Sequence, residues 1–139
     1  MHIWEELCRI RNRSTGEWGE RLAVEYLRKK RMKIVARNWR NPRDRREEID
    51  LVCELDGVLV FVEVKTRAAS AMVRGFDAVD RRKKAVLLRA CSAYLKSFPR
   101  TSRPNHFRFD VVEIRAGMGK QKYDLLHFEN VPLFGKYFF

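Results

Sequence analysis

Two stretches of this chain alternate apolar and polar side chains, and only two residues separate them. The first is Glu48-Ile49-Asp50-Leu51-Val52-Cys53-Glu54-Leu55 and the second Val58-Leu59-Val60-Phe61-Val62-Glu63-Val64-Lys65. Between them lie Asp56 and Gly57, the pair favoured in a two-residue type I′ turn. The turn fixes a register in which Leu55 faces Val58, Val52 faces Phe61, Asp50 faces Glu63 and Glu48 faces Lys65. One face then carries Ile49, Leu51, Cys53 and Leu55 with Val58, Val60, Val62 and Val64, all apolar. The other carries Val52, Leu59 and Phe61 near the turn and Asp50 and Glu63 at the far end. A sheet apolar on both faces requires a helix on each side.

The flanking segments supply those helices. Ser14 followed by Glu17 reads as a capping box, so a helix is expected from about Thr15 to Lys30. Its apolar stripe is Trp18, Leu22, Ala23, Tyr26 and Leu27. Glu20 lies only about 20° from Leu27 on the helical wheel, at the edge of the buried face. Met32 to Ala36 predicts a short strand, and Arg37 to Arg46 a polar loop with five arginines, Trp39 and Pro42. That loop suits phosphate contact with Trp39 as a stacking group, or a solvated connection with Trp39 against the core.

Arg67 to Asp77 reads as a small-residue loop. A second helix is expected from Asp77 or Asp80 to about Phe98, with Val79, Val86, Leu87, Ala90, Tyr94 and Leu95 as its stripe. Its first turn holds Arg81-Arg82-Lys83-Lys84, and cations there oppose the helix dipole. They are either phosphate contacts or a solvated face. Phe107 to Val112 predicts a strand, Gly117 and Gly119 a turn, and Tyr123 to Glu129 a last strand. The order α-β-β-β-α-β-β predicts an α/β fold.

Charge narrows the partner. The chain has 139 residues with 30 Lys and Arg against 18 Asp and Glu, a net charge of +12. That length suits a single domain over 1–139, with 1–13 set apart as an N-terminal extension that need not be ordered. The excess favours a polyanion, nucleic acid before an anionic membrane surface. No apolar run approaches the roughly 18 residues of a membrane span, and Met1 to Arg13 has no signal-peptide core, so a cytoplasmic protein is expected. Cys8, Cys53 and Cys91 are scattered, giving neither a disulfide framework nor a zinc spacing. Cys53 and Cys91 read as core residues.

The hairpin pattern carries the chemistry. Like charges directly opposite each other destabilise a sheet. A hard divalent cation with oxygen ligands would neutralise Asp50 and Glu63, and Lys65 is one step away. Two acids, a cation and a lysine suit phosphodiester hydrolysis: the ion polarises the phosphate and acidifies a water, and the lysine offsets developing charge. The alternative is an edge charge cluster in which Lys65 bridges both acids.

These residues resemble a known family. Asp50 followed by Glu63-Val64-Lys65 is the signature of the PD-(D/E)XK nucleases, which share the restriction-endonuclease-like fold. More narrowly, the chain resembles the YraN-like family of bacterial proteins, themselves similar to archaeal Holliday junction resolvases. The matching pieces are Gly16-Glu17-Trp18-Gly19-Glu20, Ala23, Leu27, Asn38, Glu48-Ile49-Asp50-Leu51, Val60 to Arg67, Gly75, Lys83, Ala90, Tyr94-Leu95 and Arg108-Phe109-Asp110-Val111-Val112. They cover about 16 to 130.

The resemblance implies an αβββαβ core with a mixed sheet flanked by helices. It implies an endonuclease that cuts structured or branched DNA with Mg2+ or Mn2+. Asp50, Glu63 and the Val64 carbonyl would hold the metal, and Lys65 would orient or activate the water. Glu20 would be an additional acid, and Glu48 an acid further out. The nucleic-acid contacts are then expected from Arg40, Arg43, Arg45, Arg46, Arg67, Arg82 and Lys83. DNA is favoured over RNA, no membrane is involved, and a homodimer is raised by the resolvase likeness. A module that keeps the fold and binds nucleic acid without cutting it is the alternative. One departure stands out: the family has glycine just before Glu48, and this chain has Glu47. If that glycine serves a positive φ, the backbone here is shaped differently.

Overall fold

Asp56 and Gly57 both have positive φ, 49° and 80°, as a type I′ turn demands. They join strand β2 (Asp44–Leu55) to strand β3 (Val58–Ala68) in a computed structural model that describes residues 2–68, 81–117 and 122–134. From Leu55 to Leu51 the register is the expected one, with Leu55 paired to Val58, Cys53 to Val60, Val52 to Phe61 and Leu51 to Val62, but the ladder ends there and the expected Asp50–Glu63 and Glu48–Lys65 pairs are not part of it. Helix α1 (His2–Lys29) and strand β1 (Lys33–Asn41) precede the hairpin. Helix α2 (Arg81–Lys96), strand β4 (Phe107–Ala116) and strand β5 (Tyr123–Phe128) follow it.

The sheet runs β1-β2-β3-β4-β5. Neighbours are antiparallel except β3 and β4, which are parallel, with α2 lying between them in the chain. A parallel pair needs a crossover long enough to return the chain to the same end of the sheet. The result is a mixed sheet with a helix on each face. On one side Leu87, Ala90, Cys91, Tyr94 and Leu95 of α2 pack on Ile49, Val52, Phe61, Phe109 and Val111. On the other, Ala23, Val24 and Leu27 of α1 pack on Leu51, Cys53, Val60, Val62 and Val112. Cys53 and Cys91 are fully buried, and burial raises both thiol pKa values, as core residues require.

Three expectations need correction. Helix α1 begins at His2, so Ser14 lies inside the helix and does not cap it. Arg37 to Arg46 is no loop: β1 continues to Asn41, turns at Pro42 and Arg43, and β2 begins at Asp44. Edge strand β1 pairs with β2 only, and it alternates intermediate and exposed positions instead of apolar and polar ones. Such an edge tolerates arginines that would be excluded from a central strand. Trp39 is tucked inward, its ring 5.3 Å from Tyr94 in a T-shaped contact.

The third correction concerns Ile49. It shares the α2-side cluster with Val52, three residues on, whereas Leu51 and Cys53 face α1. Strict alternation along β2 therefore breaks at Asp50. The expected starts of the second helix at Asp77 or Asp80, most of the Arg67–Asp77 loop, Gly75 and Gly119 lie outside the described residues.

Candidate active site

The break in β2 creates the site. Pairing between β2 and β3 stops at Leu51 and Val62, while β2 continues against β1 through Trp39–Ile49 and Arg40–Glu48. The two strands part at Asp50. The Val64 N–H donates to Asp50 Oδ2 at 2.9 Å. A side-chain carboxylate thus satisfies a backbone donor at the fork, where a buried N–H left unpaired would be costly.

Glu63 sits across the fork and is only 3% exposed. Its carboxyl lies close enough to that of Asp50 to raise the Asp50 pKa. Burial first, and then the charge of Glu63, push the Asp50 carboxyl up to about 8 despite the Val64 N–H. Two cations answer Glu63: Lys65 Nζ is 3.2 Å from Oε1, and Lys83 Nζ from the start of α2 is 3.7 Å away.

Glu20 joins from α1. Its charge contributes to the raised Asp50 pKa, which puts it in electrostatic reach of the pair. Asn38 Nδ2 donates to Glu20 Oε2 at 3.3 Å, and Asn38 itself has φ 50°. Gly19, next to Glu20, makes this approach possible: a Cβ there would collide with the Thr66 hydroxyl on β3. Glu20, Asp50, Glu63 and Lys65 therefore lie at one end of the hairpin. Among the described residues, no group of three acid, His or Cys side chains is close enough to hold a metal unaided. An ion here would take Asp50 and Glu63 with backbone oxygen and water as remaining ligands, a hard donor set that fits Mg2+ or Mn2+.

The basic residues expected to touch nucleic acid divide into groups. Arg40 and Arg45 line a groove of about 870 Å3 with Glu20, Arg37, Asn38 and Glu48. Within it Arg40 Nη2 is 3.4 Å from Glu48 Oε2. Arg46 is exposed and clasps Asp44 through Nε and Nη2 at 3.0 and 2.8 Å. Arg43 lies at the β1–β2 turn, and Arg82 is exposed in the first turn of α2. Arg67 and Lys83 are drawn inward to acids: Arg67 Nε is 3.1 Å from Glu113 Oε1, and Lys83 meets Glu63.

Two buried acids carry roles that spacing did not reveal. Glu113 is fully buried, lies opposite Lys65 in the parallel register, and pairs with Arg67 and Arg115. Parallel pairing of Phe107–Val112 with the Val58–Lys65 strand would have placed it there. Asp110 is fully buried as well. It accepts from His127 Nε2 at 2.8 Å, the Asn130 N–H at 2.9 Å and Arg108 Nη2 at 3.1 Å, while His127 Nδ1 lies 3.2 Å from the Tyr26 hydroxyl. Burial alone would raise the Asp110 pKa, but these hydrogen bonds from His127, Asn130 and Arg108 hold it below the usual carboxylate range.

Glu47 lies in β2 at the register shift between the Arg40–Glu48 and Asn41–Asp44 pairs, without positive φ, and it is buried. The backbone therefore makes no demand for glycine at this point.

A mixed five-stranded sheet, a helix on each face and acids at a hairpin fork define an α/β protein with a restriction-endonuclease-like core. The chain belongs to the Uncharacterised protein family UPF0102, whose model matches residues 19–114. A UPF0102 protein of Syntrophomonas wolfei is 48% identical over 111 residues, covering 80% of this chain and 92% of the relative. Another from Alkaliphilus oremlandii is 37% identical over 119 residues, covering 86% and 97%. A third from Symbiobacterium thermophilum is 43% identical over 106 residues, covering 76% and 86%. Among the described residues no helix is long and apolar enough to cross a membrane.

Proposed function

We propose that this protein is a metal-dependent endonuclease that hydrolyses phosphodiester bonds, with structured or branched DNA as substrate. The observation that supports it most is the Asp50–Glu63 carboxyl pair at the fork of β2 and β3, with Lys65 on Glu63. Asp50 and Glu63, with the Val64 carbonyl that the family resemblance adds, would hold Mg2+ or Mn2+. When bound, the ion would polarise the phosphate and acidify a water. Lys65 would then leave Glu63 to hold the attacking water or meet the developing charge on phosphate oxygen. Asn38 would keep Glu20 turned toward the acids. Arg40 and Arg45, in the groove beside them, would contact the phosphate backbone.

A second reading has its own observation. Lys65 and Lys83 both answer Glu63, and burial raises the Asp50 pKa, so the charge at the fork is offset by the protein's own groups. A protein that binds nucleic acid without cutting it would keep that arrangement. Incubation with branched and linear DNA in Mg2+ or Mn2+ separates the two. The nuclease reading expects cleavage of branched DNA by the wild type, lost in Asp50→Ala and Lys65→Ala with binding retained. Binding with no cleavage of either substrate in either metal would sink it.

A further inference from the structure

We propose that the outer face of α2, with the cavity between it and the β1–β2 hairpin, is a track for the phosphate backbone of duplex DNA. This rests on the nucleic-acid part of the reading above and deepens it, because it names where the substrate lies beyond the acids. Arg82, Arg89 and Lys96 recur every seventh residue on α2. Residues spaced in this way drift only about 20° per repeat, so the three share one face. They are spread over about 21 Å of helix, at a rise of about 1.5 Å per residue. A duplex advances about 3.4 Å per base pair, so the stripe spans about six of them.

Nothing on α2 itself neutralises these charges. The helix contains six basic residues and no acidic one. A solvated helical surface is ordinarily stabilised by acid–base pairs three or four residues apart, and this one has none. Arg82 also stands in the first turn, where a cation opposes the helix dipole.

The cavity supplies a second side to the stripe. It has a volume of about 560 Å3, and its lining includes Arg43 at the hairpin turn, Arg89, Ser92 and Lys96 of α2, and Ser97 just beyond the helix. The acid in the lining, Glu47, is 8% exposed and already engaged. Asn41 Nδ2 donates to its Oε2 at 2.8 Å, and Arg89 Nε lies 3.4 Å from its Oε1. Glu47 thereby anchors Arg89 through one nitrogen while 59% of that side chain stays exposed. It is a positioning residue. Three cations and the Ser92 hydroxyl lining one cavity match a run of phosphate oxygens, while the Ser97 hydroxyl donates to the Tyr94 carbonyl. Lys83, in the first turn of the same helix, reaches Glu63, so a strand on this track leads to the acids.

Fluorescence anisotropy with a labelled DNA duplex over a range of salt concentrations tests the track. Replacing Arg82, Arg89 and Lys96 together by Gln should lower the slope of log K against log salt by about 2.7, at about 0.9 per phosphate contact. An equal-charge control, Lys29→Gln with Lys30→Gln and Arg31→Gln on the other side of the sheet, should leave the slope near wild type. The conservative pair Arg82→Lys and Arg89→Lys should also retain it, and thermal melting checks that each variant folds. Equal losses in the two Gln triples would mean that net charge alone drives binding, and would overturn the track. Displacement by inorganic phosphate as readily as by unlabelled duplex would overturn it in favour of a small anion site. A wild-type protein with no salt-dependent binding would instead refute the nucleic-acid reading itself.

Discussion

Replacing Asp50 with Asn isolates the cost of burying two acids at the fork. The amide keeps an oxygen to accept from the Val64 N–H and removes the charge. In the folded protein the Asp50 carboxyl is pushed up to about 8, against 3.8 in the unfolded chain. A tenfold change in proton affinity is worth about 1.36 kcal/mol, so the full difference would be about 6 kcal/mol. Asp50 and Glu63 titrate as a pair, so only part of this falls to Asp50, about 2–4 kcal/mol. The sign follows from which state holds the proton. Between 3.8 and about 8 the folded protein binds it more tightly than the unfolded chain, so Asp50 costs more stability as pH rises through that window. Urea denaturation of wild type and Asp50→Asn in chelator should give similar stabilities near the lower limit. The variant should be the more stable by about 2–4 kcal/mol above the upper limit. A difference that stays constant with pH would refute the argument that Asp50 and Glu63 are held together against their charges.

Other substitutions test the scaffold. Gly19→Ala should cost about 1–3 kcal/mol by urea denaturation, because α1 must retreat from Thr66. Gly57→Ala should cost about 1–2 kcal/mol, since the turn holds that residue at φ 80°. Asp110→Ala should cost about 2–4 kcal/mol, because it strands a half-buried Arg108 and removes the acceptor of His127.

The hairpin was legible because a two-residue turn leaves no freedom in the register. Leu55 through Leu51 pair as that turn dictates. The same counting could not see that β2 leaves β3 at Asp50, which depends on tertiary packing around Ile49. Acids opposed on a regular ladder and acids meeting across a fork have the same sequence. Edge strand β1 runs beyond its apolar pattern because its arginines face solvent, where apolar alternation is not required. Lys83 was legible as a basic residue at a helix start but not as a partner of Glu63. That contact spans β3 and α2 with residues 69–80 between them, and spacing carries no information across such a distance. Glu113 and Asp110 were hidden inside apolar strand patterns, because an acid whose partners arrive from other strands looks the same as an exposed one.

Titration calorimetry with Mn2+ reads ion binding at the fork itself. One binding event is expected in the wild type, abolished in Asp50→Ala and in Glu63→Gln and retained in Lys65→Ala. No heat in the wild type, or the same heat in Asp50→Ala, would contradict a metal site at the fork.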